Sequence, residues 1–305
     1  MWEEIERNKR KSYLLVGAIS ALLVIFGYAL GEATGYGYFG VIIAAAIALV
    51  VSLASYYSGD SLVLTVSRAR AITDREAPQL FHVAEEMSIA SGLPMPKVYI
   101  IEDTAPNAFA TGRNPAHASI AVTSGLLSKL SRDELQGVIA HELSHVRNYD
   151  ILFATLIGVL VGTIAMLSDF VLRGRFIFGP RRRSRVSAGG AGGAGAVYVI
   201  IALLLAILAP ISAKLLQLAV SRKREYLADA SAAELTRYPE GLASALEKIA
   251  TDQEILEVAN RATQHLYIVN PIKPFEERAR SLFSTHPPIR ERIRRLRQMA
   301  GVPIS

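Results

Sequence analysis

Residues 12–31 contain no charged side chain, and after Glu32 a second uncharged run covers residues 33–58. Twenty residues of helix rise about 30 Å, enough to cross the hydrocarbon core of a bilayer. Two further uncharged runs, 151–168 and 196–213, would each reach about 27 Å, the lower limit for crossing. The chain is therefore expected to be an integral membrane protein. Arg7, Lys9, Arg10 and Lys11 precede the first run as they would in a secretory signal. That run exceeds a usual signal core, no small-residue cleavage site follows, and a second run comes at once, so it reads as a retained anchor. The 33 Lys and Arg against 27 Asp and Glu do not point to nucleic acid. Their clusters flank apolar segments, where they would meet anionic lipid head groups. The absence of cysteine excludes disulfides and thiolate-bound metal, and fits a reducing compartment.

Chemistry concentrates at His141-Glu142-Leu143-Ser144-His145. Ser131 and Glu134 stand in capping-box relation, and Leu135, Val138, Ile139, Leu143 and Val146 follow at helical spacing. Both histidines then fall on one helix face with Cβ atoms roughly 6 Å apart, within reach of a single ion. Zn²⁺ accepts imidazole nitrogen and commonly keeps three protein ligands and one open position. Glu142 would act beside the ion as a general base without binding it.

Glu225 and Asp229 offer the missing carboxylate. They are four residues apart in the polar segment Arg222-Lys223-Arg224-Glu225-Tyr226-Leu227-Ala228-Asp229. One of the two could bind the metal while the other accepts the free N–H of a ligating histidine. Spacing alone equally allows both to balance Arg222, Lys223 and Arg224 on a solvated face.

The order of these motifs resembles the HtpX-like membrane-integrated zinc metalloproteases, gluzincins related to the CAAX prenyl proteases. The resemblance rests on HELSH followed by Val146-Arg147-Asn148-Tyr149-Asp150, and on Arg224-Glu225-Tyr226-Leu227-Ala228-Asp229-Ala230 after two apolar segments. Asn107-Ala108-Phe109-Ala110-Thr111-Gly112 upstream and Ser284-Thr285-His286-Pro287-Pro288 downstream extend it over nearly the whole chain. It implies one zinc per chain, held by His141, His145 and Glu225, with Asp229 accepting from a zinc-bound histidine. It also implies an edge strand at Asn107, Ala108, Phe109 and Ala110 to which extended substrate adds through main-chain bonds. His286 would act on the tetrahedral intermediate or approach the zinc; alternatively its motif only opens the last helix, with proline in the first turn. His82, His117 and His265 lie outside any ligand-spaced cluster. The implied substrates are unfolded or damaged membrane proteins, cleaved in protein quality control. Two alternatives stand beside this: a prenyl-protein processing protease, whose branch uses more membrane helices, and a non-enzymatic zinc-stabilised scaffold, which would not need Glu142.

The polar region 60–140 predicts a helix opened by Thr73 and Glu76 as a second capping box and stopped before Gly92. Strands are expected at 97–101, 107–111 and 119–123, and short helices after Asp229. The fold class is α+β: mostly helical, with transmembrane helices and a small sheet beside the zinc helix. The expected organisation is an N-terminal hairpin (1–59), a first protease part (60–150), a second apolar hairpin (151–218) and a helical C-terminal part (219–305). The second hairpin contains six arginines between residues 173 and 185 and a glycine-rich linker at 189–195. Basic residues before the first run, and none in the turn after it, put the N-terminus and the active site on the cytoplasmic side of a prokaryotic plasma membrane. The second hairpin then crosses either twice or not at all. Two crossings are favoured by its near-span length and by the four segments the resemblance implies, although those arginines would lie outside. No crossing would leave a short apolar hairpin held in the protein or the cytoplasmic leaflet, with its arginines on anionic lipid.

Overall fold

The computed structural model describes residues 2–162, 207, 222–252, 254–257, 263–269 and 287–301. Two long helices lead: α1 (Trp2–Thr34) and α2 (Tyr38–Val66). They turn on Gly35 and Gly37, both at positive φ. Gly31 lies so close to the Gly37 and Gly40 backbone that a Cβ there would overlap it. Among the described residues one helix, α2, is long and apolar enough to cross a membrane. Much of its middle, including Ile43, Ile47, Val50 and Leu53, is exposed.

The polar region forms a four-stranded mixed sheet among the described residues: β1 (Arg70–Ala71), β2 (Lys97–Ile101), β3 (Ala108–Gly112) and β4 (Ala118–Thr123), in the order β1-β2-β4-β3. Only β2 and β4 run parallel. Between β1 and β2 lies α3 (Pro78–Ser91). Thr73 and Glu76 do bond to each other, but in a turn before that helix. Pro78 bars Ala77 from the α region, and the helix starts at the proline itself. Its end at a left-handed Gly92 follows the sequence expectation. After β4 come α4 (Ser124–Lys129) and α5 (Arg132–Arg147), then α6 (Asp150–Gly162). The described C-terminal elements are α7 (Arg222–Thr236), α8 (Pro239–Thr251) and α9 (Ile289–Met299).

Alternation along the strands gives the sheet two packed faces. Ala108, Ala110, Ile120 and Val122 join the main core with Leu80 and Val83 of α3, Val138, Ile139 and Leu143 of α5, and Leu242 and Leu246 of α8. Phe109 and Ala121 point to the other face, against Val63 and Leu64 of α2 and Tyr267. Gly137 allows α5 to reach α8, because a Cβ there would stand 2.7 Å from the Leu242 backbone nitrogen. Leu15 of α1 packs on Leu152, Phe153 and Leu156 of α6. The leading helices are thus packed into the body at their non-turn ends.

Candidate metal centre

The capping box at Ser131 fixes the start of α5, with Glu134 Oε2 accepting from Ser131 N at 2.7 Å and Ser131 Oγ accepting from Glu134 N at 3.4 Å. One helical turn separates His141 from His145, and their rings stand nearly perpendicular with Nε2 atoms 3.2 Å apart. Glu225 arrives from α7, its Oε1 3.5 Å from His145 Nε2 and its Oε2 3.8 Å from His141 Nε2. A tetrahedral ion with ligands near 2.05 Å requires ligand atoms about 3.3–3.4 Å apart. The two Nε2 atoms are close to that spacing, each Glu225 oxygen faces one of the rings, and one ligand atom from each of the three residues lies within 4.8 Å of the others. Two imidazoles and one carboxylate therefore suit zinc in kind and can close on one ion.

Each imidazole is held from behind by a carboxylate. Asp229 Oδ1 lies 3.1 Å from His141 Nδ1, and Asp150 Oδ2 lies 2.9 Å from His145 Nδ1. Both contacts turn Nε2 towards the common centre. The carboxylates are themselves buried and braced. Arg292 donates Nε and Nη2 to the two Asp229 oxygens at 2.8 and 2.7 Å, and its Nη1 stands 3.3 Å from Glu225 Oε2. Arg224 donates to Asp150 Oδ1 at 2.9 Å.

Burial raises the Asp229 carboxyl, but Arg292 and His141 more than offset it and hold it below the ordinary range. Burial likewise raises Asp150, and His145 with Arg224 brings it below its ordinary value. His141 is lowered, by burial and the Arg292 charge against the pull of Asp229. It therefore stays neutral, the form that can donate a lone pair to a metal. Burial would also lower His145, but the Asp150 hydrogen bond and the Glu225, Asp150 and Glu142 charges push it up to about 9. Glu142 rises to about 7, chiefly through burial and with help from Glu225. Such a value suits proton transfer at neutral pH.

A small cleft opens on this cluster, with His141, Glu142, His145, Leu266, Tyr267 and Ile268 in its lining. Asn107, Ala108, Phe109 and Ala110 stand in and beside the outer strand β3. Asn107 O accepts from Thr123 N on the inner side, so by alternation Ala108 and Ala110 present their main-chain groups outward. That outer row is partly taken. Ile268 N donates to Ala108 O at 3.0 Å, and Asn107 Nδ2 donates to Val269 O at 2.9 Å. The Ala110 N–H is directed at Glu142. His286 lies outside the described residues. His265 is buried beside the cleft with Nε2 2.9 Å from Ala154 O, whereas His82 and His117 are exposed.

Sequence reading assigned no role to Asp150 or Arg292. Asp150 stands five residues after His145, and only the left-handed Tyr149 (φ 58°) turns it back onto the ring. Arg292 is one of five arginines in α9, and it alone shares the helix face of Ile289, Ile293 and Leu296, a periodic signal that could have marked it as buried.

Residues 74–300 match the model of Peptidase family M48. A "Protease HtpX homolog" of Dictyoglomus thermophilum is 47% identical over 298 residues, which cover 98% of this chain and 94% of that protein. One from Lactobacillus helveticus is 43% identical over 301 residues, covering 98% and 100%. The solved structure of S. mikatae Ste24p aligns with 97% of this chain and 67% of its own at 19% identity and a TM-score of 0.49.

Proposed function

The chain belongs to peptidase family M48, and from that premise we propose a membrane-bound zinc endopeptidase that cleaves unfolded or damaged membrane proteins. Membership makes it a metalloprotease, which removes the non-enzymatic scaffold from consideration. Relatives named HtpX over nearly their full length favour the quality-control reading over prenyl-protein processing.

One observation carries the catalytic reading. His141, His145 and Glu225 bring their ligand atoms within 4.8 Å of one another, while Glu142, next to a ligand on the same helix, lines the cleft without joining them. Zinc would supply Lewis-acid polarisation of water and of the scissile carbonyl. Glu142 receives the proton of the attacking water as the new C–O bond forms. It returns that proton to the departing amine as the C–N bond breaks, a transfer matched to its pKa of about 7. Asp229 and Asp150 hold the imidazoles in the tautomer that leaves Nε2 bare. An extended substrate adds to the outward groups of Ala108 and Ala110, and there it displaces Ile268 from Ala108 O.

The exposed apolar length of α2 and the uncharged run within α1 support a membrane hairpin, and the basic N-terminus supports a cytoplasmic site. Metal analysis combined with casein digestion tests the whole reading. Glu142→Gln should keep stoichiometric zinc and lose about 10²–10⁴-fold in rate, the usual worth of a positioned acid–base. An active Glu142→Gln protein with normal metal content would sink the mechanism.

A further inference from the structure

Asn8, near the start of α1, is fully buried, which sets it apart from the exposed Arg7 and Arg10 around it. Its Nδ2 donates to Asp150 Oδ1 at 2.7 Å and to Asn148 O at 2.9 Å. Its own Oδ1, also buried, has no partner among the described residues. An amide left half-satisfied in a buried site costs stability, so its two donated bonds are the reason to look for a role. Both end on the turn that follows the metal helix.

That turn is strained and clasped from α1. Tyr149 sits at φ 58°, the left-handed region that costs a non-glycine residue energy unless its surroundings hold it there. Lys9 places its ammonium 4.6 Å from the Tyr149 ring centroid, and Leu15 packs on the first turns of α6. Asp150 is the element this clasp controls. Asn8 from α1 and Arg224 from α7 both donate to its Oδ1, which fixes the rotation of the carboxylate. Its Oδ2 is then delivered to His145 Nδ1 at 2.9 Å.

We infer that Asn8 is a positioning residue of the metal centre, acting through the Asp150 carboxylate on His145 and so tying the seating of the N-terminal helix to metal retention. The inference rests on the reading of His145 as a ligand. It makes α1 more than an anchor: displacement of its first turns removes one of the two donors that orient Asp150.

The test is chelator competition for zinc on the full-length protein in detergent, with wild type, Asn8→Ala, Asn8→Leu, Asp150→Asn and the Asn8→Ala/Asp150→Asn double variant. Leucine fills the space of asparagine without a donor, so Asn8→Leu keeps the test open if alanine does not fold. Ser20→Ala, which removes an α1–α2 contact far from the site, controls for loosened helix packing. Loss of a carboxylate behind a metal ligand weakens binding about 10–100-fold, and a donor one step further out should cost about 3–10-fold. The expected result is that both Asn8 variants lose affinity with melting temperature near wild type, Ser20→Ala binds normally, and the double variant is no weaker than Asp150→Asn alone. Wild-type affinity in Asn8→Leu, or losses that multiply in the double variant, would overturn the inference. Unchanged affinity in His145→Ala would overturn the ligand reading and this inference together.

Discussion

Metal loading should expel the His145 proton at pH 8, about one per chain beyond whatever metal-bound water gives up. In the metal-free protein this imidazole is pushed up to about 9, so about 90% of it is protonated at pH 8. That proton occupies the Nε2 lone pair, because Nδ1 faces Asp150 Oδ2. The metal needs that lone pair, so the proton must leave. Glu142, at about 7, is mostly ionised at pH 8 and adds no more than about 0.1 proton. Apparent affinity should then fall about tenfold, or 1.4 kcal/mol, for each pH unit below about 9. Linkage gives the matching sign for the metal-free fold. Stabilisation from His145 is complete below the ordinary 6.5 and is lost as pH rises through about 9. Asp150→Asn removes the strongest influence raising His145 and leaves only the Glu225 and Glu142 charges against burial, so release at pH 8 should fall clearly below that of wild type. Calorimetric titration in two buffers of different ionisation enthalpy measures the proton count directly. Little or no release from wild type at pH 8, or the same release from Asp150→Asn, would refute the reasoning.

Arg292→Met should destabilise the metal-free protein by about 3–5 kcal/mol in urea unfolding, because Asp229 and Glu225 stay buried without their counter-charge; a shift below 1 kcal/mol would contradict this. Ile268→Pro removes the N–H that holds Ala108 O, and should lower KM for an unfolded substrate about fivefold, the equivalent of ~1 kcal/mol for one hydrogen bond. An unchanged KM would argue against substrate addition at β3.

The helix bearing His141 and His145 was legible because everything that defines it is local. A capping box, a 3.6-residue apolar period and an i, i+4 pair fix one face of one helix whatever the rest of the chain does. The strands 97–101 and 119–123 were legible for the same reason, and the one local misreading, at Thr73, came from a proline overriding a side-chain cap. Which carboxylate serves which histidine was not legible. Glu225 and Asp229 share a face, and only the docking of α7 against α5 sets Asp229 behind His141 and Glu225 beside both rings. Asp150 and Asn8 are likewise ordinary polar residues in sequence, the face of Arg292 was readable but not what it meets, and burial on converging elements gives all three their partners. The edge at Ala108 follows the same logic, since its neighbour Ile268 lies 160 residues away. Backbone geometry repeats within a few residues and can be read from a short window. Contacts between elements depend on how whole faces pack, which no short window contains.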